Sequence, residues 1–142
     1  MFRTLDDTIM VSPQIGIDAV AEAKARGVTL IINNRPEGES ADQIPGAEIE
    51  AAARAAGIDY IAIPVTHAGF SEAQVSAMRA ALEKTPGPVL AYCRSGTRST
   101  LLWALAHSSL GEHPAVLAEK AAGAGYDLAP VATLMDILRA KA

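Results

Sequence analysis

At 142 residues, half of them hydrophobic, the chain has the length and apolar content of one domain that buries about two thirds of its unfolded surface in a single core. A formal net charge of −4 argues against nucleic acid or an anionic membrane as the main partner, so any anion site must be local. The one cysteine excludes an internal disulfide framework, and the longest apolar runs fall far short of a membrane span. Met1 to Asp7 contains no apolar stretch like a signal peptide, so a reducing cytoplasm is the expected compartment.

An extended stretch, Phe2 to Val11, precedes Ser12-Pro13, which reads as the N-cap and first position of a helix running to about Arg26 and closed by Gly27. Val28 to Ile32 reads as a buried strand. The polar loop Asn33 to Gln43 leads to Pro45 and an alanine-rich helix that stops at Gly57. Ile58 to Ile63 is the next strand. The loop Pro64 to Phe70 ends in Ser71-Glu72-Ala73-Gln74, a capping box with Phe70 and Val75 as its hydrophobic staple, and opens a helix to about Lys84. Pro88 to Tyr92 is a short buried strand, Ser99 to Ala106 reads as the first turns of a helix, and two more helices start near Pro114 and Pro130. Strands spaced by helices pair in parallel, which predicts an α/β layered fold over residues 1–142 as one domain.

Chemistry concentrates where the last strand turns into its helix, at Tyr92-Cys93-Arg94-Ser95-Gly96-Thr97-Arg98-Ser99. At such a turn the amides of Arg94 to Arg98 have no ladder or helix partner, and the positive end of the helix dipole points at the sulfur. Arg94 and Arg98 add fixed positive charge, surroundings that favour the thiolate in cysteines generally. A lone Cys is more often a small buried hydrophobe. Here a glycine three positions on, two arginines and hydroxyls at Ser95, Thr97, Ser99 and Thr100 mark Cys93 as a nucleophile. Gly96 permits the backbone conformation that closes the loop.

In open α/β sheets ligands bind outside the carboxyl ends of the strands. The loops that share that edge with Cys93 bring Arg35 and His67. Arg35 is read either as a further cation for an anionic ligand or as an ion pair with Glu37 or Glu39 that orders its loop. His67 is read first as an exposed loop imidazole, with acid–base work as the other option. His107 and His113 share no helical face at ligand spacing, so no zinc site is expected, and His113 before Pro114 suits a helix cap. Trp103 reads as core, and Pro130 to Ala142 as a closing helix with Leu134, Ile137 and Leu138 on one face.

Several segments occur in an order that resembles a known family. They are Phe2 to Ile15, Ile31 to Glu39, Tyr60 to Val65, Gly87 to Ser99 and Ala121 to Leu128. Together they resemble the phosphatase-like domain of the beta-lactamase-hydrolase-like proteins over nearly the whole chain. The resemblance implies a fold of the dual-specificity tyrosine phosphatase type, three layers with a central, mainly parallel sheet between helices. In relatives the domain stands alone or is joined to a metallo-beta-lactamase-like persulfide dioxygenase, which implies sulfide and persulfide handling.

Two departures weigh on the chemistry. Tyrosine phosphatases carry His-Cys and a loop one residue longer than the four residues between Cys93 and Arg98, and Cys-Arg-Ser-Gly-x-Arg-Ser resembles the active loop of rhodanese sulfurtransferases. Where the dual-specificity enzymes place an acidic Asp, this chain has Thr66-His67. An alkoxide or phenolate leaving group needs a proton that sulfite or a thiolate does not. The sequence therefore reads as a sulfurtransferase. The Cys93 thiolate takes sulfur from a small anionic donor, thiosulfate or a low-molecular-weight persulfide, and passes it to a thiol acceptor. Arg98 and Arg94 orient the donor, the loop amides including Ser95, Gly96 and Thr97 hold the persulfide, Ser99 hydrogen-bonds the thiolate, and no metal or other cofactor is required. A separate metallo-beta-lactamase-like dioxygenase is the candidate partner. The alternatives are a cysteine-dependent phosphatase, with His67, Glu37, Glu39 or Asp42 as proton donor, and a non-catalytic persulfide or redox sensor.

Overall fold

The computed structural model describes residues 1–142. The elements in chain order are β1 Arg3–Asp6, β2 Ile9–Ser12, α1 Ile17–Ala25, β3 Leu30–Asn33, α2 Gly46–Ala55, β4 Asp59–Ala62, α3 Glu72–Lys84, β5 Val89–Tyr92, α4 Thr97–Ser109, α5 Pro114–Gly123 and α6 Ala132–Ala140, with a 3₁₀ turn at Ala129–Val131 before the last helix. The sheet order is β1-β2-β5-β3-β4. Only the β1–β2 pair is antiparallel, and β2, β5, β3 and β4 run parallel.

Strand side chains alternate between two faces. Val11, Leu30, Ile32, Val89 and Ala91 face a core shared with α3 to α6, while Met10, Ile31, Tyr60, Leu90 and Tyr92 face a smaller core under α1 and α2. These are the three expected layers. Helix α4 lies within the larger core, with Ser99 to Ala106 all buried, so it shows no polar stripe. Trp103, Leu102 and Leu105 are fully buried, each leucine worth about 1.5–3 kcal/mol of transfer free energy. That burial anchors the helix whose first turn carries Arg98. No helix is long and apolar enough to cross a membrane.

Three local expectations are corrected. The extended N-terminal stretch is a hairpin, turned at Asp6, whose Oδ1 accepts from the Thr8 amide and hydroxyl, each at 2.7 Å. Ser12-Pro13 does not start a helix. Ser12 pairs with Tyr92 as the last residue of β2, and α1 begins after Gly16. In α6, Ile137 is exposed, and Met135 joins Leu134 and Leu138 on the core face. The capping box is present, with Ser71 Oγ accepting from Gln74 N and Gln74 Oε1 from Ser71 N. His113 caps α5 by accepting from the Ala115 amide at 3.2 Å. His107 lies in the last turn of α4 and pairs with Glu112, an acidic partner the sequence reading did not foresee.

Candidate active site

Cys93 follows β5, the central strand of the five, and its loop is tied to both neighbouring strands. The Cys93 amide donates to the Ser12 carbonyl at 3.3 Å, and the Asn34 amide donates to the Tyr92 carbonyl at 2.8 Å. Asn34 is fully buried and knits the site together. Its Nδ2 donates to the Ile63 carbonyl and its Oδ1 accepts from the Ser99 hydroxyl at 2.8 Å. Ser99 therefore does not bond the sulfur, contrary to the expectation from sequence. Its hydroxyl already serves the buried Asn34, which would otherwise be left unsatisfied at a cost of about 1–3 kcal/mol.

The sulfur accepts a hydrogen bond from the Gly96 amide at 3.1 Å. Gly96 caps α4 with φ +89°, so the chain doubles back and the start of the helix faces Cys93. A Cβ added there would clash with the Tyr126 hydroxyl oxygen. Tyr126 donates to the Ser95 carbonyl at 3.0 Å, and the Arg3 guanidinium sits 5.1 Å from its ring centre. The loop is thus braced from behind by a residue the sequence reading quoted only for its family resemblance. Ser95 and Thr97 bond each other through their hydroxyls, and neither hydroxyl touches the sulfur.

Arg98 is held on two sides. Its Nη1 and Nη2 donate to the two oxygens of Glu39 at 2.7 and 2.8 Å, and Nη1 also donates to the Val65 carbonyl at 2.8 Å. Of the guanidinium donors, Nε–H and the second Nη2–H remain, side by side on one edge. The Glu39 hydrogen bonds, opposed by burial and aided by the neighbouring Cys93 sulfur, push the Arg98 pKa up. Arg35 resolves in favour of the ion pair. It is 5% exposed and donates to Glu39 at 3.0 Å, to Gln14 at 3.0 Å and to Ser40 at 3.2 Å, so it holds Glu39 and does not line the cleft. Glu39 as the clamp on Arg98 went unread, since the partners lie 59 positions apart.

Two of the suggested proton donors are removed by this arrangement. The Arg98 hydrogen bonds, opposed by burial and reinforced by Arg35, hold the Glu39 pKa at about 2, and the Ser40 hydroxyl lowers that of Asp42. Both are carboxylates at neutral pH. Because the Glu39 pKa falls from 4.5 to about 2 on folding, its contribution to stability is complete above pH 4.5 and is lost as pH falls through that window. Melting temperatures of the wild type and Glu39→Gln are expected to differ at pH 6 and to converge as pH approaches about 2. A gap that stays constant with pH would show that the pairing is not electrostatic.

Beside the loop lies a cleft of about 420 Å³ lined by Pro36, Glu37, Gly38, Glu39, Thr66, His67, Arg94 and Arg98. It gathers the predicted Arg94, Arg98 and His67. The Cys93 residue has no exposed surface and lies beneath the Arg98 side of this cleft. A separate cavity of about 570 Å³ between α5 and α6 is largely apolar, and Tyr126 is its one link to the loop.

The family model for the phosphatase-like domain of beta-lactamase hydrolase-like proteins matches residues 1–110. The chain belongs to this family. A Beta-lactamase hydrolase-like protein from Xylella fastidiosa (strain Temecula1) is 40% identical over 102 residues, which is 71% of this chain and 23% of that protein. The chain therefore spans about a quarter of the length of the curated relatives it matches. Among solved structures, a candidate phosphatase from Neisseria meningitidis Z2491 is 30% identical with TM-score 0.85, covering 96% of this chain and 97% of that one. PTPMT1 shares the fold at 13% identity and TM-score 0.75, covering 99% and 98%. The tyrosine phosphatase type of fold is as expected, with a phosphatase-like domain as the family's shared feature.

Proposed function

We propose that this domain is a cysteine-dependent hydrolase of the phosphatase type, with Cys93 as nucleophile and Arg98 as the oxyanion clamp. The observation that carries it is the side-on edge of Arg98, which the Glu39 and Val65 contacts leave without a carboxylate or carbonyl partner in the neighbourhood of the Cys93 sulfur. Two parallel N–H donors on one guanidinium edge match two oxygens of a phosphoryl group. The Gly96 amide, which donates to the sulfur, and the start of α4 behind it stabilise charge as it spreads over the phosphoryl oxygens. The Cys93 thiolate attacks phosphorus, the S–P bond forms as the bond to the leaving oxygen breaks with its electron pair on that oxygen, and water then cleaves the S–P bond to release phosphate and restore the thiolate.

Sulfur transfer, the reading drawn from the loop length and from Thr66-His67, gains nothing from the relatives. The phosphatase alternative has the family and the Arg98 geometry behind it. The two intermediates differ in kind. The protein is mixed briefly with p-nitrophenyl phosphate or with thiosulfate, quenched in acid and read by intact mass and peptide mapping. A phosphoryl group on Cys93 is expected. One added sulfur on Cys93 from thiosulfate, with no phosphoryl group from the ester, would reverse the assignment.

A further inference from the structure

Resting on the phosphatase reading, the cleft also indicates which phosphate it takes. We propose that the substrate is a phosphoanhydride, a diphosphate group on a hydrophilic carrier, whose terminal phosphoryl passes to Cys93 while the inner phosphate leaves against Arg94.

Three observations converge. First, the Pro36 ring is the only apolar side chain among the residues lining the cleft. The phenyl ring of a phosphotyrosine finds there only the Pro36 ring and the exposed His67 imidazole, whereas ligand sites for such groups are lined mostly by apolar side chains. Second, no carboxylic acid stands ready to protonate a leaving oxygen. Glu39 is an ion-paired carboxylate, and a Glu37 oxygen accepts from the Gly46 amide at 2.9 Å. A leaving alkoxide needs a proton that only the exposed His67 is left to supply on this wall, and loss of general-acid assistance typically costs ~10²- to 10⁴-fold in rate. A leaving phosphate is stable as the anion and needs none. Third, the Arg94 side chain forms no ion pair or side-chain hydrogen bond and is exposed at the cleft, one residue from the nucleophile. With Arg98 engaged by Glu39 and by the transferred group, Arg94 is the cation that remains for a second anionic group.

The step balances without another reagent. The Cys93 thiolate attacks the terminal phosphorus, the S–P bond forms, and the bond to the bridging oxygen breaks with its electron pair leaving on the inner phosphate. Water then attacks the phosphocysteine, the S–P bond breaks, the thiolate returns, and the water proton passes to His67 on the cleft wall or to solvent. One diphosphate and one water give a monophosphate and inorganic phosphate.

Four probes separate the wall from the leaving group. Inorganic pyrophosphate and ADP carry the anhydride, glucose 6-phosphate is hydrophilic with a poor leaving group, and p-nitrophenyl phosphate is aromatic with a good one. Phosphate release is measured for each with a Cys93→Ser blank subtracted. The expected result is a kcat/KM at least about tenfold higher on an anhydride than on either monoester, with Arg94→Ala narrowing that ratio at least about tenfold. A monoester equal to or better than both anhydrides, or a ratio unmoved by Arg94→Ala, overturns the anhydride assignment and leaves the phosphatase reading standing. No Cys93-dependent phosphate from any probe defeats the phosphatase reading itself, and this assignment with it.

Discussion

Cys93→Ser is expected to lower kcat/KM for phosphate release by roughly 10⁴-fold or more while leaving the fold intact. A serine hydroxyl must lose its proton to attack, and the hydrogen-bond partner at that position is the Gly96 amide, a donor that takes no proton. The residue is buried, and sulfur to oxygen is a small change of volume, so the melting temperature should move little. Steady-state rates and thermal melts of the two proteins give the comparison. If the serine variant keeps more than about a hundredth of the wild-type kcat/KM, phosphorus is not attacked by Cys93.

Arg98→Lys is the second large effect, expected at roughly 10²- to 10³-fold in kcat/KM. The charge survives this change and the fork does not. In the wild type the end of the guanidinium is fixed by the two Glu39 oxygens, and the Val65 carbonyl takes a further Nη1 proton. This is what aims the free edge. A lysine ammonium reaching Glu39 has no second edge to present, so the transition state loses paired donors while the carboxylate keeps a cation beside it. Arg35 remains on Glu39, so the fold is expected to hold. A kcat/KM within about tenfold of wild type would mean that the phosphoryl oxygens are held by backbone amides alone.

How far the sequence carried depended on the range of each interaction. The order of strands and helices, the capping box at Ser71 and the strand-to-helix turn at Cys93 rest on neighbouring residues, and all are in the structure. The N-terminal hairpin has a local signal, Asp6-Asp7-Thr8 between apolar residues, that a reading of Phe2 to Val11 as one extended run leaves unused. Ser12-Pro13 misled because a cap-and-proline pair is also a tolerable strand end, and pairing with β5 prevails over local preference there. At the site, Cys93, Arg94 and Arg98 are read from one local turn, while the rule that a sheet edge gathers its loops points to Arg35 and His67, of which the cleft takes in the exposed His67 and leaves out Arg35. The choice between the readings of Arg35, the redirection of Ser99 to Asn34 and the grip of Glu39 on Arg98 all turn on side-chain geometry between distant segments. No spacing rule encodes these.

The brace of Tyr126 on the Ser95 carbonyl closes a contact across 31 positions. During vectorial synthesis the nucleophile leaves the ribosome well before the residue that fixes its loop, so the two events are separated in time. Until Tyr126 arrives and α5 has packed beneath it, Gly96 has no hydroxyl at its back and the turn is free to sample other conformations. The brace on the Cys93 loop is therefore completed only when the last third of the domain is in place.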